Sequence, residues 1–473
     1  MMIVKHRVFM VSLLACLLLA ACTAEHGEGN LTEAFAFVNV NLVPMDRERI
    51  IQNQTIIIQD GRVHKIGPAE TVKVPDRATV IDGRDKYLMP GLADMHAHVI
   101  EVDQLSVLIA NGVTTVRNMW GEPKHLEWRQ RINDGDLLGP TIYTAGAIID
   151  GDPPVFPESE VVTSPEQARI VVSKQREAGY DFLKVYNNLS VEVYDALITA
   201  AREDAIPIAG HVPANVGLDH VLAARQRCIE HLDGYEVALA SDECAHVEKS
   251  GLAALILTWT ELDRNKIPNI VRQTCEAGTW VCPTLIVYEK WVPLAEVNAL
   301  LERDEFRYLS PSEREFHLPQ NSYTNSFTPE IFNAVALGNP VRKELTRLLH
   351  DGGVRILLGT DCGNPLVVPG FSIQEELQNF VDAGLTPYEA IKAGTHDAAE
   401  FFDAVDEFGT VTVGSRADLI LLEGNPLDDV KNIGIRVGVM VRGKWYAESE
   451  LKSKLDELAA HYSNESAVES MPD

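Results

Sequence analysis

Pro90-Gly91-Leu92-Ala93-Asp94-Met95-His96-Ala97-His98 decides the reading of this chain. The run from Lys86 to Met95 reads as a short apolar strand entered through Pro90-Gly91, and side chains two apart on a strand share a face. His96 and His98 therefore leave the carboxyl end of that strand together, spaced to chelate one cation through two imidazoles. The pattern recurs. Tyr180-Asp181-Phe182-Leu183-Lys184, Ile206-Pro207-Ile208-Ala209-Gly210-His211, Cys228-Ile229-Glu230-His231 and Ile356-Leu357-Leu358-Gly359-Thr360-Asp361 each close an apolar run on an ionisable side chain. Together, His96, His98, Lys184, His211, His231 and Asp361 are six ligand positions for a pair of cations.

Outward from these runs, the middle of the chain reads as eight strand–helix units. The expected strands are Leu92–His96, Val113–Asn118, Thr141–Ala145, Phe182–Val185, Pro207–Gly210, Cys228–His231, Trp280–Pro283 and Arg355–Gly359. Alternating strands and helices in this number predict an α/β fold, a (β/α)8 TIM-type barrel over residues 91–407. Such a barrel brings the carboxyl ends of its strands to one face, so the six residues become neighbours. Ser164-Pro165-Glu166-Gln167 and Thr386-Pro387-Tyr388-Glu389 supply an N-cap, a first-turn proline and a capping-box partner; the second precedes a helix over Ala390 to Phe402. Residues 232–278 and 284–354 exceed a minimal unit and predict extra helices over the site mouth. Ser310 to Thr328 is either a mobile lid or a surface excursion.

Residues 35–90 and 408–450 turn and alternate like short strands, with Asp60-Gly61 between apolar runs as a hairpin signal. Strands at both ends predict one composite β-sandwich domain closed by the two termini. Residues 451–473 form a C-terminal helix or tail.

The 473 residues suffice for a barrel of about 250 plus a smaller domain. A net charge of −28 leaves no basic field to neutralise phosphates, which argues against nucleic acid as a partner. Lys5, His6 and Arg7 precede the apolar stretch Val8 to Ala21, a leader too short to span a bilayer. Its end, Leu19-Ala20-Ala21-Cys22, resembles the lipobox of bacterial lipoproteins. That resemblance implies cleavage of residues 1–21, lipidation of Cys22 and a tether over residues 22–34. The alternative is an ordinary secretory signal cut nearby. Either way the mature chain works outside the cytoplasm, and Thr23 after the cysteine points to the outer membrane. Membrane contact is expected only through the lipid. Cys228, Cys244, Cys275, Cys282 and Cys362 remain, an odd number with no Cys-x-x-Cys, and read as buried apolar side chains.

The His96/His98 motif, Gly359-Thr360-Asp361 and both flanking β-segments resemble the amidohydrolase superfamily, nearest its imidazolonepropionase-like and prolidase-like members. The resemblance implies that His96, His98 and Asp361 bind one metal and His211 and His231 the other. Lys184 would carry a CO2-derived carbamate bridging both. A bare ammonium beside two dications would be repelled, whereas a carbamate is an anionic oxygen donor. Imidazole and carboxylate ligands suit two divalent ions, zinc first, with manganese or iron as alternatives. The implied reaction is attack by a metal-bridging hydroxide on an amide or peptide C–N bond of a small substrate, a dipeptide or N-acyl amino acid, with Asp361 as proton shuttle.

Arg117, at the end of the second strand, either grips a substrate carboxylate or forms a structural ion pair. Tyr186 and Tyr235 follow ligand strands; each either donates to the substrate or packs in the core with its hydroxyl satisfied. His125, His246, His317 and His350 lie outside the strand-end pattern and are expected on the surface or on helices, while His396 is expected to order the last barrel helix. Three rivals stand beside the amidase reading: a mononuclear deaminase, a lactonase or organophosphate-type hydrolase, and a non-catalytic binding protein. His211 is followed by Val212-Pro213-Ala214-Asn215, without the acid that deaminases and imidazolonepropionase place there. A homo-oligomer is also compatible with the sequence.

Overall fold

A computed structural model describes residues 34–247 and 251–469 of the chain. The leader, Cys22 and all but the last tether residue lie outside the described residues. Both chain ends build one eight-stranded sheet. Its order runs Lys444–Ala447, Arg436–Val441, Leu419–Leu422, Tyr87–Pro90, Phe35–Leu42, Ile51–Gln59, Arg62–Pro68, with Thr79–Asp82 paired to Phe35–Leu42. The hairpin at Asp60-Gly61 has φ of 53° and 74°, positive at both turn positions, which matches the strand twist. The two ends meet where Leu419–Leu422 pairs antiparallel with Tyr87–Pro90, immediately before the His96 strand.

Phe37 and Trp445 sit four strands apart in this order, roughly 19 Å in a flat sheet. Their rings are 5.3 Å apart. The single hydrogen-bonded sheet therefore curls until two of its faces pack, enclosing Phe37, Val40, Ile56, Leu88, Leu421 and Met440. Helix Glu448–Glu469 follows and packs Leu451 and Leu455 on helix Gln104–Ala110.

Parallel strands fill the middle. Leu92–Ala97, Val113–Asn118 and Thr141–Thr144 make a three-stranded sheet. Leu183–Val185, Ile208–Gly210, Cys228–Glu230 and Trp280–Cys282 lie in a second, six-stranded one. Bridges Ala145↔Phe182 and Val281↔Ile356 extend the pairing from the third strand to the fourth and from the seventh to residues 355–358. The amide of Met95 then donates to Leu358 O at 2.8 Å, returning to the first strand. Seven of the eight expected strands are present. Two short strands that were not expected extend the sheet beyond the fourth: Ile149–Asp150 pairs with it and Glu160–Val161 pairs with Ile149–Asp150.

The eighth, Arg355–Gly359, is not a ladder strand, for a local reason. The amide of Leu358 donates to Ala393 O, and that of Ala93 to Gly394 O at 2.7 Å, so residues 393–394 take up ladder bonds between the two segments. A Cβ on Gly394 would meet Leu358 Cδ2 at 2.5 Å, so glycine permits this approach. The same dip splits the expected helix after Thr386 into Pro387–Ala393 and His396–Phe401. Thr386 and Glu389 form the full capping box. Ser164 caps Pro165–Ala178, but Gln167 reaches back to the Thr163 amide instead of completing the box.

Residues 310–317 are tied to the segment after the first barrel strand and to the segment after Asp361. Helix Pro311–His317 is capped by Ser310 and Glu313. Ser310 donates to Glu101 at 2.9 Å, Gln104 donates to Glu313, and His317 Nδ1 accepts from the Leu366 amide at 2.7 Å. His125 and His317, expected on the surface or on helices, lie on the helices Pro123–Asp134 and Pro311–His317, and both are buried. The expectation of buried cysteines holds at Cys228, Cys282 and Cys362 but not at Cys275, which is exposed, or Cys244, which is half-buried; all five thiols are free.

Candidate active site

The carboxyl ends of the parallel strands bring the predicted ligands together. His96 Nε2 lies 3.3 Å and His98 Nε2 2.9 Å from Asp361 Oδ1, and His231 Nδ1 is 3.7 Å from Asp361 Oδ2. The His96 ring is centred 4.6 Å from His231, which is 4.9 Å from His211. His231, Leu232, Thr284 and Asp361 have φ of 63°, 57°, 45° and 59°. Left-handed backbone at non-glycine residues costs of the order of 1–3 kcal/mol each and gathers where a site must be held in shape.

Three of the four imidazoles are oriented from behind. His96 Nδ1 bonds Glu230 Oε2 at 2.8 Å, His211 Nδ1 bonds Asn187 Oδ1 at 2.7 Å, and His231 Nδ1 bonds Thr284 Oγ1 at 2.7 Å. Such outer hydrogen bonds fix the ring and its tautomer. Asp94, two residues before His96, accepts from the Thr360 hydroxyl at 2.6 Å and its amide at 2.9 Å. It thereby locks the segment that carries Asp361 to the first strand. Burial pushes the Asp94 carboxyl up to about 6 despite those bonds.

Burial lowers His96 and His211 well below the ordinary imidazole range, with the Lys184 charge adding to the effect, and takes His231 down to about 3. All three are neutral at pH 7, the form that binds metals. Burial raises the Asp361 carboxyl, but His231, His98 and Lys184 together outweigh it and hold the group below its usual range.

The donor set fits a cation. With Nδ1 committed as donor to Glu230, the neutral His96 ring turns the lone pair of Nε2 toward Asp361 Oδ1, so two acceptors face each other. Asp361 Oδ1 is buried and, among the described residues, accepts from no backbone amide or hydroxyl; the imidazole Nε2 atoms of His96 and His98 face it. The donor atoms of His96, His98 and Asp361 lie within 4.8 Å of one another. Lys184 is buried and forms no hydrogen bond or ion pair among the described residues; its Nζ lies 6.0 Å from the centre of the Tyr186 ring. Burial lowers its pKa, which favours the neutral amine.

For Arg117 and Tyr235 the second of the two expected roles holds, and neither contacts substrate. Arg117 is fully buried, and its Nη2 binds both oxygens of Glu230 at 2.8 and 2.7 Å. It lies beneath His96 as the structural ion pair, unable to grip a substrate. Tyr235 is also buried, with its hydroxyl 3.0 Å from Thr274 Oγ1 on helix Ile267–Ala277, where it packs between helices. Tyr186 does reach the site: its ring lies 4.0 Å from that of His211. Its hydroxyl has no hydrogen-bond partner among the described residues.

Sequence reasoning missed Glu230, Asn187, Thr284 and Asp94 as orienting groups. Asp94 was accessible to it, because residues 94, 96 and 98 alternate along one strand face. An acid inside the apolar run Cys228-Ile229-Glu230-His231 was a second signal.

The model of the amidohydrolase family matches residues 87–446. Ochratoxinase of Aspergillus niger is 25% identical over 457 residues, covering 82% of this chain and 81% of its own. Imidazolonepropionase of Rhizobium rhizogenes is 24% identical over 399 residues, covering 81% and 90%. Among solved structures, the bottromycin amidohydrolase superposes with a TM-score of 0.74 at 25% identity, covering 91% of this chain and 90% of that one.

Proposed function

The chain belongs to the amidohydrolase family and is a hydrolase of carbon–nitrogen bonds; on that footing we propose that it is a binuclear amidohydrolase built on a (β/α)8 barrel. Its substrates are small amides, dipeptides or N-acyl amino acids. The observation that carries the reading is the buried Asp361 Oδ1, on which the Nε2 atoms of His96 and His98 converge at 3.3 and 2.9 Å.

His96, His98 and Asp361 would hold one Zn2+, and His211 and His231 a second, with Lys184 carbamylated between them. Neutral Nζ is the form that adds to CO2, and burial of Lys184 favours it. Bound divalent metal supplies Lewis acidity toward water and toward the scissile carbonyl. Asp361 is ionised at neutral pH. Its carboxylate accepts a proton from the attacking water and returns it to the leaving nitrogen. Glu230, Asn187 and Thr284 keep the imidazoles aimed while this happens. Export of the mature chain, with Cys22 as its lipid anchor, belongs to the same proposal.

Elemental analysis of the leaderless protein, purified without chelator, tests it. Close to two zinc equivalents per chain, with hydrolysis of dipeptides or N-acyl amino acids, is the expected result. One equivalent moves the reading to a mononuclear enzyme. No uptake from zinc and bicarbonate defeats it.

A further inference from the structure

A row of aromatic rings leads from the surface to His211. The Trp120 ring is centred 5.1 Å from Phe156, Phe156 is 5.5 Å from Tyr186, and Tyr186 is 4.0 Å from His211. The three residues come from different loops: beyond the second strand, beyond Ile149–Asp150, and beyond the fourth strand. Val155 and Phe156 keep 46% and 36% of their surface exposed. Apolar surface left in water forgoes burial free energy, so its persistence at a site mouth calls for a cause.

The loop that carries Phe156 is held in place. Buried Asp150 accepts from the amides of Gly151 at 2.9 Å, Val155 at 2.8 Å and Asn188 at 2.7 Å. Asn188 Nδ2 donates to Pro153 O at 2.7 Å. A Cβ on Gly151 would fall 1.9 Å from Asn188 O, so the two backbones touch there. Phe156 is thus braced against the same loop that supplies Tyr186 and Asn187, the partner of His211. A fixed apolar wall that ends on a candidate metal ligand suits a bulky, uncharged group attached close to the scissile bond.

We infer that Trp120, Phe156 and Tyr186 form a subsite for an aromatic or large apolar group of the substrate amide. The inference rests on the amidohydrolase reading for its substrate and deepens it by naming a side-chain class. An apolar edge continuous with the reacting centre favours a substrate group over a second copy of the chain, which would cover the mouth.

Matched pairs test it: N-acetylphenylalanine against N-acetylalanine, and phenylacetylglycine against acetylglycine. In the zinc-loaded wild type, kcat/KM should favour the aromatic member of at least one pair. Phe156→Ala and Trp120→Ala should cut that preference by roughly 10- to 100-fold, the range a filled apolar pocket confers. Calorimetric binding of phenylalanine against alanine, and of phenylacetate against acetate, supplies a readout that needs no turnover. If no amide is hydrolysed yet an aromatic product binds at least about tenfold tighter, and Phe156→Ala abolishes that margin, the hydrolytic reading fails and the subsite stands. Equal binding and equal turnover of both members in wild type overturn the subsite. So does an unchanged preference in the variants, or a loss of self-association as the sole effect of Phe156→Ala.

Discussion

Removing one member of the buried Arg117–Glu230 pair should cost more than removing both. Neither residue is exposed, and Nη2 of Arg117 spans both Glu230 oxygens at 2.8 and 2.7 Å. The guanidinium lies 4.9 Å from the Phe401 ring centroid and 5.8 Å from that of Phe182, so no water replaces a lost carboxylate. Glu230→Leu therefore strands a buried cation, and destabilisation of about 3–5 kcal/mol is expected. Arg117→Met strands the acid and should cost a similar amount. The double variant replaces a buried ion pair by apolar side chains and should fall within about 1–2 kcal/mol of wild type, giving a large favourable coupling. Urea denaturation of chelator-treated protein measures all four corners as midpoint shifts at constant slope. Glu230 also holds His96 Nδ1, so zinc affinity should fall about 10- to 100-fold in both Glu230→Leu and the double variant. Stability returns in the double variant and metal affinity does not. Single costs below about 1 kcal/mol, or a double cost equal to the sum of the singles, would refute the reasoning.

Three further outcomes are expected. Asp361→Asn should retain the fold by circular dichroism and lose about 10²- to 10⁴-fold in turnover; near-normal rates would remove the proton-transfer role. Gly359→Ala places a Cβ 2.5 Å from Cys282 Sγ and 2.7 Å from His96 N, so a loss of about 1–3 kcal/mol together with weaker zinc binding is expected. Adding Cys282→Ala should relieve only part of it, because the His96 backbone remains; full recovery in calorimetry would contradict the contact. Burial lowers His317 from 6.5 to about 4, and its Nδ1 accepts from the Leu366 amide only when neutral. Its depressed pKa contributes stability that is present above about 6.5 and lost as pH falls toward about 4. Hydrogen exchange at the Leu366 amide should accelerate across that window in wild type but not in His317→Gln, after correction for intrinsic exchange; parallel profiles would exclude the switch.

What the chain discloses by itself is whatever repeats locally. Apolar runs that end on His96, His98, Lys184, His211, His231 and Asp361 are visible because a strand's length and its last side chain are contiguous in sequence. The Asp60-Gly61 turn and the Thr386–Glu389 cap are visible for the same reason, since each motif closes within four residues. Tertiary structure alone decided the rest. Arg117 and Glu230 are 113 residues apart, and only their convergence beneath His96 shows that the arginine is already committed. Tyr186 and Tyr235 follow ligand strands alike, yet one ring reaches His211 and the other turns to Thr274. The missing eighth ladder strand depends on Gly394 approaching Leu358 and Ala93 from a distant turn. Sequence specifies which groups each segment carries. Which partner a buried group meets is set by where the packed segments bring them together, because the cost of leaving such a group unpaired is settled across the whole fold.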